Sequence, residues 1–343
     1  MAWLEARHAV SYQPQLAHDE RALRHSTGHV RAVLVPNHVV VNQDFLDFAP
    51  SLEIVARMQI GTDNIDLDTC RDRGIKVLQA RSANVRANAE FLIGALLMLH
   101  RPGLLESLSA KWNVSQAPSH TKQPLLGREI YGSTVGLLGI GPAATTLAGL
   151  LTGMGARLIG YDPALHFSSP IWQQMRVQPV SLLELMSEAD AVSVQMLYAS
   201  RFKGFVNHRV LAACKLGQIW VSMSRGSLFD TGAMLEALQD GRIAAWMSDS
   251  SDEMEGSEMP LLRTLPNFFV TRRVGSLTRE SHLRASWYTA HRMHDILSPE
   301  DRDNDRYPMG LPGDNSPPSW VDSNLLSPEV RAADAAAAAA RTF

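Results

Sequence analysis

The sequence predicts an α/β protein built on two parallel sheets. Three observations carry this. Short apolar runs alternate with segments of helical length, the pattern of strand–helix–strand units. One run leads through a glycine-rich turn straight into a helix. The chain has 343 residues, more than one compact core accommodates.

The elements follow in order. Residues 32–35 (A-V-L-V) and 52–57 (L-E-I-V-A-R) are short, apolar and bounded by turn residues, as buried parallel strands are. Residues 65–74 read as a helix, and 75–78 (I-K-V-L) as a further strand. Residues 87–100 are apolar at helical spacing and long enough to cross between domains. Residues 114–126, with two prolines and two serines, form a loop. A second alternating series starts at Thr134, with strands at 135–138, 157–161, 191–195, 219–222, 244–247 and 268–271. Helices at 142–154, 181–187, 207–213 and 231–238 separate them. Residues 298–319 are rich in Pro, Asp, Asn and Gly, and the alanine-rich 323–343 reads as a flexible tail.

Composition narrows the function. With 32 Lys and Arg against 35 Asp and Glu, the net charge of −3 gives no electrostatic case for nucleic acid or an anionic membrane as partner. No apolar run approaches the roughly 20 residues that span a bilayer, and the start M-A-W-L-E-A-R-H lacks the form of a secretory signal. Cys70 and Cys214 are the only cysteines, which suits a reducing cytoplasm and forms no disulfide scaffold. No zinc-finger spacing or Ser–His–Asp set stands out, and no metal site is expected.

The chemistry starts at residues 136–144, G-L-L-G-I-G-P-A-A. Gly139, Gly141 and Ala144 give G-x-G-x-x-A: a tight turn, a close backbone approach to a pyrophosphate, and a small residue where helix meets strand. The helix N-terminus then faces the phosphates with unpaired N–H groups. Gly139, Ile140, Gly141 and Ala143 are the turn residues expected at the cofactor. Asp162, in G-Y-D-P at the end of the next strand, stands where a carboxylate binds a ribose 2′-hydroxyl and repels a 2′-phosphate, so NAD is expected rather than NADP. Pro142 suits the first helical position but carries no N–H, which removes one phosphate donor.

Several segments together resemble the D-isomer-specific 2-hydroxyacid dehydrogenases, the family of phosphoglycerate, glyoxylate and formate dehydrogenases. They are I-G-T-D-N-I-D-L-D-T-C-R-D-R-G-I-K-V (60–77), S-A-N-V-R-A-N-A-E (82–90), the phosphate turn with G-Y-D-P, S-R-G-S-L-F-D (224–230) and N-S-P-P-S-W-V-D (315–322). The resemblance runs from about residue 5 to 322. It implies two doubly wound parallel-sheet domains with the active site in the cleft between them. A Rossmann NAD-binding domain at 99–297 is inserted in a smaller flavodoxin-like substrate domain made of 1–98 and 298–322. Because the sequence begins where the family's first helix falls, the expectation is either a substrate domain without that edge strand or a truncated chain. The resemblance also implies a homodimer formed through the cofactor domain, a small anionic substrate and a cytoplasmic location.

Family members interconvert 2-keto and 2-hydroxy acids with an arginine, a histidine and an acidic residue. Arg225, in V-S-M-S-R-G-S, falls in the slot of the arginine that grips the substrate carboxylate. Ile60 and Gly61 fall in the substrate loop, where Gln59 replaces a usual glycine. Asp249 matches the aspartate that meets the nicotinamide carboxamide, and Ser224 falls with the cofactor residues. The acid position lands on Met254, flanked by Glu253 and Glu255, either of which a one-residue shift would bring into place. The histidine is absent: T-R-R-V-G (271–275) stands for the family's T-P-H-x-G, with Arg273 at the histidine and Arg272 at the proline. A guanidinium does not act as an acid near neutral pH. Q-M-L-Y-A (195–199) likewise replaces the family's Pro-Leu-Thr turn. His100, at the end of the long helix, could face the cleft, and His291 and His294 share a late helix. The readings are an NAD-dependent oxidoreductase with an altered acid–base apparatus, favouring a substrate with two anionic groups or one whose transfer needs no histidine, an NAD(H)-binding regulator or scaffold without turnover, or a degenerating paralogue with no selected activity.

Overall fold

The computed structural model describes residues 2–36, 38–58, 64–80, 82–105, 126–196, 200–250 and 256–301. Ile60, Gly61, Glu253, Met254, Glu255, the loop over 114–125 and the segments 315–322 and 323–343 lie outside the described residues. The contacts divide the chain into two units, one of residues up to Asn84 together with those from Thr278 onward, the other Val85–Leu277.

The smaller unit holds a three-stranded sheet in the order β1 (Ala32–Leu34), β2 (Ile54–Arg57), β3 (Lys76–Gln79), with both pairings parallel. The central strand is wholly buried because it is covered on both faces, as its unbroken I-V-A run requires. The helix Leu67–Asp72 starts where Asp66 accepts from the Thr69 backbone N–H at 3.0 Å, and it ends at Gly74, whose φ of +72° suits glycine. Its Cys70 joins Phe45, Leu46, Leu52 and Ile65 in the core. The long helix Arg279–Leu297, capped by Thr278, packs on β2 and β3, with Ala285 against Ala80 and Ala83.

The larger unit is a seven-stranded sheet in the order β10-β9-β8-β7-β4-β5-β6, with every pairing parallel. The strands are β4 (Thr134–Leu138), β5 (Arg157–Tyr161), β6 (Gln178–Pro179), β7 (Ala191–Val194), β8 (Gln218–Ser222), β9 (Ile243–Ser248) and β10 (Phe268–Val270). The chain lays β4, β5 and β6 in one direction, then returns to the other side of β4 for β7 through β10, so the winding reverses between β4 and β7. This is the doubly wound Rossmann arrangement. Trp220 and Trp246, on adjacent β8 and β9, are fully buried and stacked at 4.8 Å, with Phe229 edge-on to Trp246 at 5.0 Å.

The unit borders differ from the expected 98/99 and 297/298. The helix Val85–Leu99 goes with the seven-stranded sheet because it packs along the helix Pro142–Gly153 and β8. The helix Arg279–Leu297 goes with the smaller sheet because its small residues meet β2 and β3. Both helices are amphipathic enough to be seen in sequence, but which sheet each covers is set by tertiary packing.

Asp190 fastens the N-terminal edge of the larger sheet. One of its oxygens accepts from the Thr134 backbone N–H at 2.9 Å, and the other takes Lys215 Nζ at 2.6 Å and Arg128 Nη1 at 3.1 Å. Burial pushes its pKa up, but these donors and charges outweigh burial and hold it below the ordinary carboxylate value. A depressed carboxylate contributes stability that is present above the unfolded pKa and is lost as pH falls through the folded one. Asp190→Ala should therefore cost about 1–2 kcal/mol in urea unfolding at neutral pH, a figure discounted because both cations are half exposed. The same substitution should flatten the acid limb of stability against pH.

Candidate functional site

Parallel pairing opens every strand of the larger unit onto the same edge at its C-terminal end. The phosphate turn lies there, after β4. Gly139 has φ +91°, and a Cβ on it would stand 2.5 Å from the Met196 backbone N and 2.9 Å from the Gln195 carbonyl carbon. No other residue type fits that position. A Cβ on Gly141 would meet nothing closer than the Gln195 carbonyl oxygen at 3.7 Å, so the turn's second glycine presents open backbone. Ala144 is fully buried at the helix–strand contact. Pro142 is the first residue of the helix Pro142–Gly153, with Gly141 as its N-cap, as expected. This cradle, tight at one glycine and open at the next, fits a dinucleotide pyrophosphate.

Ile140 and Asp162 are joined. The Ile140 N–H donates to Asp162 Oδ2 at 2.7 Å, and Asp162 Oδ1 accepts from the Ala164 N–H at 2.8 Å. Two of the carboxylate's roughly four acceptor sites are thereby used, and two remain for ribose hydroxyls. The Ile140 N–H is committed to Asp162 rather than turned to a phosphate. The helix N-terminus presents the Ala143 N–H in its place.

The other side of the edge is built from β7 to β10. Arg225 stands three residues beyond β8, in extended conformation and half-buried, at the head of a short 3-10 turn, Gly226–Leu228. Ser224 is buried, and its hydroxyl donates to the Met196 carbonyl at 3.0 Å, which ties the ends of β7 and β8 together. Buried hydroxyls line this edge: Ser222 accepts from the Ser224 N–H at 3.1 Å, and Ser248 and Ser250 share a hydrogen bond of 2.8 Å.

Asp249 ends β9 and is 4% exposed. Its Oδ1 accepts from Thr271 Oγ1 at 2.6 Å and from the Val274 N–H at 2.8 Å, and its Oδ2 accepts from the Gly275 N–H at 2.8 Å. The carboxylate thus buckles T-R-R-V-G across the sheet edge. Gly275 is required, since a Cβ there would lie 2.9 Å from Asp249 Oδ2 and 2.7 Å from Met223 Cε. Within the buckled turn Arg273 takes φ +51°, unusual for a residue with a side chain, and both Arg272 and Arg273 are exposed. Sequence reading named Asp249 and the turn separately. Their joining depends on β9 and β10 being neighbours, which no local signal reports.

The histidines lie elsewhere. His100 is buried, with Nδ1 on the Leu96 carbonyl at 2.7 Å, and its own carbonyl takes the Arg128 N–H at 2.9 Å. That places it beside Asp190 at the N-terminal edge, the opposite end of the strands from the phosphate turn, and it does not serve the site. Burial pushes its pKa down. His294 hydrogen-bonds His8 at 2.9 Å and His291 stacks on Trp3 at 4.1 Å, all within the smaller unit, so this pair packs the N-terminal segment onto its helix. Sequence reading also passed over Arg57, which is 4% exposed at the end of β2 and donates to Asn64 Oδ1 at 2.7 Å. Its signal was a charge closing an otherwise apolar strand. No group of three or more His, Cys, Asp or Glu side chains suited to a metal occurs among the described residues, and among them no helix is long and apolar enough to cross a membrane.

Asp249→Asn should cost about 1.5–3 kcal/mol in chemical denaturation, because an amide nitrogen would face N–H or O–H donors. Thr271→Val, which removes one donor to a carboxylate that keeps two others, should cost about 1 kcal/mol.

The family model described as D-isomer specific 2-hydroxyacid dehydrogenase, NAD binding domain, matches residues 96–275. The chain is 30% identical over 292 residues to the (S)-sulfolactate dehydrogenase of Chromohalobacter salexigens, covering 84% of this chain and 92% of that one. It is 31% identical over 254 residues to the D-3-phosphoglycerate dehydrogenase of Mycobacterium tuberculosis, covering 74% of this chain but 47% of that protein, so it spans about half the length of that relative. Its fold resembles that of D-lactate dehydrogenase from Aquifex aeolicus, solved with NAD and lactic acid, with a TM-score of 0.66 at 20% identity over 81% of this chain and 86% of that one. The chain therefore belongs to the D-isomer-specific 2-hydroxyacid dehydrogenase family, and its seven-stranded unit is the family's NAD-binding domain.

Proposed function

We propose that the protein is an NAD-dependent oxidoreductase acting on a small 2-keto or 2-hydroxy acid that carries a second anionic group. The observation that supports it is the placement of arginines along one sheet edge, with Arg225 after β8 and the Arg272–Arg273 pair after β10, the two strands flanking β9. The planar fork of Arg225 suits the carboxylate and, through it, orients and polarises the adjacent carbonyl. Arg273, held out of the turn by the Asp249 buckle, suits a sulfonate or phosphate further along the substrate. The relatives named for sulfolactate and for phosphoglycerate both handle acids of that kind. On the cofactor side, the open backbone of Gly141 and the Ala143 N–H take the pyrophosphate, and Asp162 takes ribose hydroxyls. NAD, when bound, supplies or accepts the hydride.

Proton transfer is the altered part. A guanidinium at position 273 stabilises negative charge and moves no proton. The proton for the substrate oxygen then comes from water or from a carboxylate, the place of Glu253 and Glu255. Purified protein should oxidise NADH with sulfonated or phosphorylated 2-keto acids and much less with unsubstituted ones. Arg273→Ala should raise KM for the substituted acids roughly tenfold and leave KM for the others unchanged. The pH–rate profile should lack a histidine limb near pH 6–7, and Arg273→His should introduce one.

The Asp249 buckle also supports a second reading, a dinucleotide-binding regulator without turnover. Calorimetric NAD binding with no NADH oxidation across the whole panel, beside an active family member, would favour that reading and sink the first.

A further inference from the structure

Gln195 follows β7 directly and is only 8% exposed. Its Nε2 donates to the fully buried Ser193 Oγ at 3.2 Å, while its Oε1 is buried and finds no hydrogen-bond partner among the described residues. Buried side-chain acceptors are nearly always paired, and one left alone destabilises the fold unless something else satisfies it. The contrast with Gln218 is direct: that amide is also buried, but Nε2 serves the Met186 and Ala189 carbonyls and Oε1 accepts from Trp220 Nε1. Gln218 is structural and complete. Gln195 is neither.

Its position indicates what completes it. The Gln195 N–H bonds the Leu138 carbonyl, at the last residue of β4, at 2.8 Å, and its backbone backs both Gly139 and Gly141. It therefore stands where the winding reverses between β4 and β7, the crevice through which a dinucleotide crosses a doubly wound sheet. Asp162, the ribose candidate on the adenine side, lies beyond β4 on β5. Gln195 lies on the other side, with β8 and β9, where the nicotinamide half extends. Among the described residues one bond, to Ser193 at 3.2 Å, retains the amide, so turning it into the crevice forfeits little.

We infer that Gln195 is a cofactor-contacting residue whose carboxamide oxygen accepts a hydrogen bond from the nicotinamide-riboside half of NAD. The donor is either a ribose hydroxyl or the nicotinamide carboxamide N–H. The inference rests on NAD binding and is independent of whether a substrate is turned over.

The test uses the full chain with Gln195→Met and, as a second variant of different shape, Gln195→Leu. Calorimetry measures NAD, ADP-ribose and AMP against each protein, and thermal unfolding is followed with and without NAD. The expected result is an NAD Kd weakened about three- to tenfold, AMP affinity unchanged, and a smaller NAD-induced rise in Tm. The Tm of the protein without ligand should hold or increase, because an unpartnered buried acceptor has been removed. Weakening of both NAD and ADP-ribose assigns the donor to the ribose, and weakening of NAD alone assigns it to the carboxamide. Unchanged NAD affinity in both variants, or AMP weakened as much as NAD, overturns the inference. A lower ligand-free Tm with unchanged affinity does so too, and makes Gln195 a packing residue. Wild-type binding in the same titrations keeps this outcome separate from a failure of the proposed turnover.

Discussion

All seven strands of the larger unit run parallel, and the arrangement of the candidate site depends on that constraint. A parallel sheet must return each strand through a crossover, so every C-terminal end falls on one edge and every N-terminal end on the other. Gly139, Asp162, Gln195, Arg225, Asp249 and Arg273 are spread over more than 130 residues of sequence, yet each lies within a few residues of a strand's C-terminal end. The same constraint places Asp190 and His100 at the opposite edge, where they fasten and pack. Burial and a shifted pKa alone do not distinguish these two roles, because His100 has both and lies at the wrong edge for chemistry.

Within that edge, the Asp249 carboxylate joins β9 to the turn after β10. Three donors converge on it, and two of them are backbone N–H groups of a turn with no other sheet to belong to. The turn is thereby tied down, and Arg272, Arg273 and Val274 are its exposed side chains. A tied-down, cationic turn suits binding and charge stabilisation, since preorganised charges cost no reorganisation when negative charge develops. It does not suit proton transfer. The positive φ of Arg273 and the Asp249 hydrogen bonds belong to one and the same turn.

Much of this was legible in sequence. The β4 turn, Asp162, Pro142 and Arg225 sit where local spacing puts them, because a strand–turn–helix unit is fixed by residues close in sequence. The strands other than the two-residue β6, Gln178–Pro179, which sequence reading missed, were found with ends within two residues, since apolar runs mark burial and not the last ladder bond. What could not be read depended on contacts between distant segments. Val85–Leu99 is apolar along most of its length and Arg279–Leu297 buries Ser281, Ala285, Thr289 and His294, so neither shows in sequence which sheet it covers. The Asp249 buckle needs β9 and β10 side by side. The hydrogen bond from the Ile140 N–H to Asp162, at 2.7 Å, joins the turn after β4 to the residue after β5 and has no local signal.

Gln195 and Asp249 show opposite uses of a buried polar group at one edge. Asp249 already has three donors and stabilises the fold as it stands. Among the described residues the Gln195 Oε1 has no donor, and a buried acceptor left in that state is destabilising. A group of the first kind sets geometry before a ligand arrives. A group of the second kind gains its partner only on binding, so the missing bond adds to the difference between free and bound states. Pro142 has removed one N–H from the phosphate turn, and Ile140 has given its own to Asp162. A cofactor held by fewer phosphate donors depends more on contacts elsewhere. The reversal between β4 and β7, where Gln195 stands, is the place on this sheet edge where a compensating contact to the nicotinamide half can form.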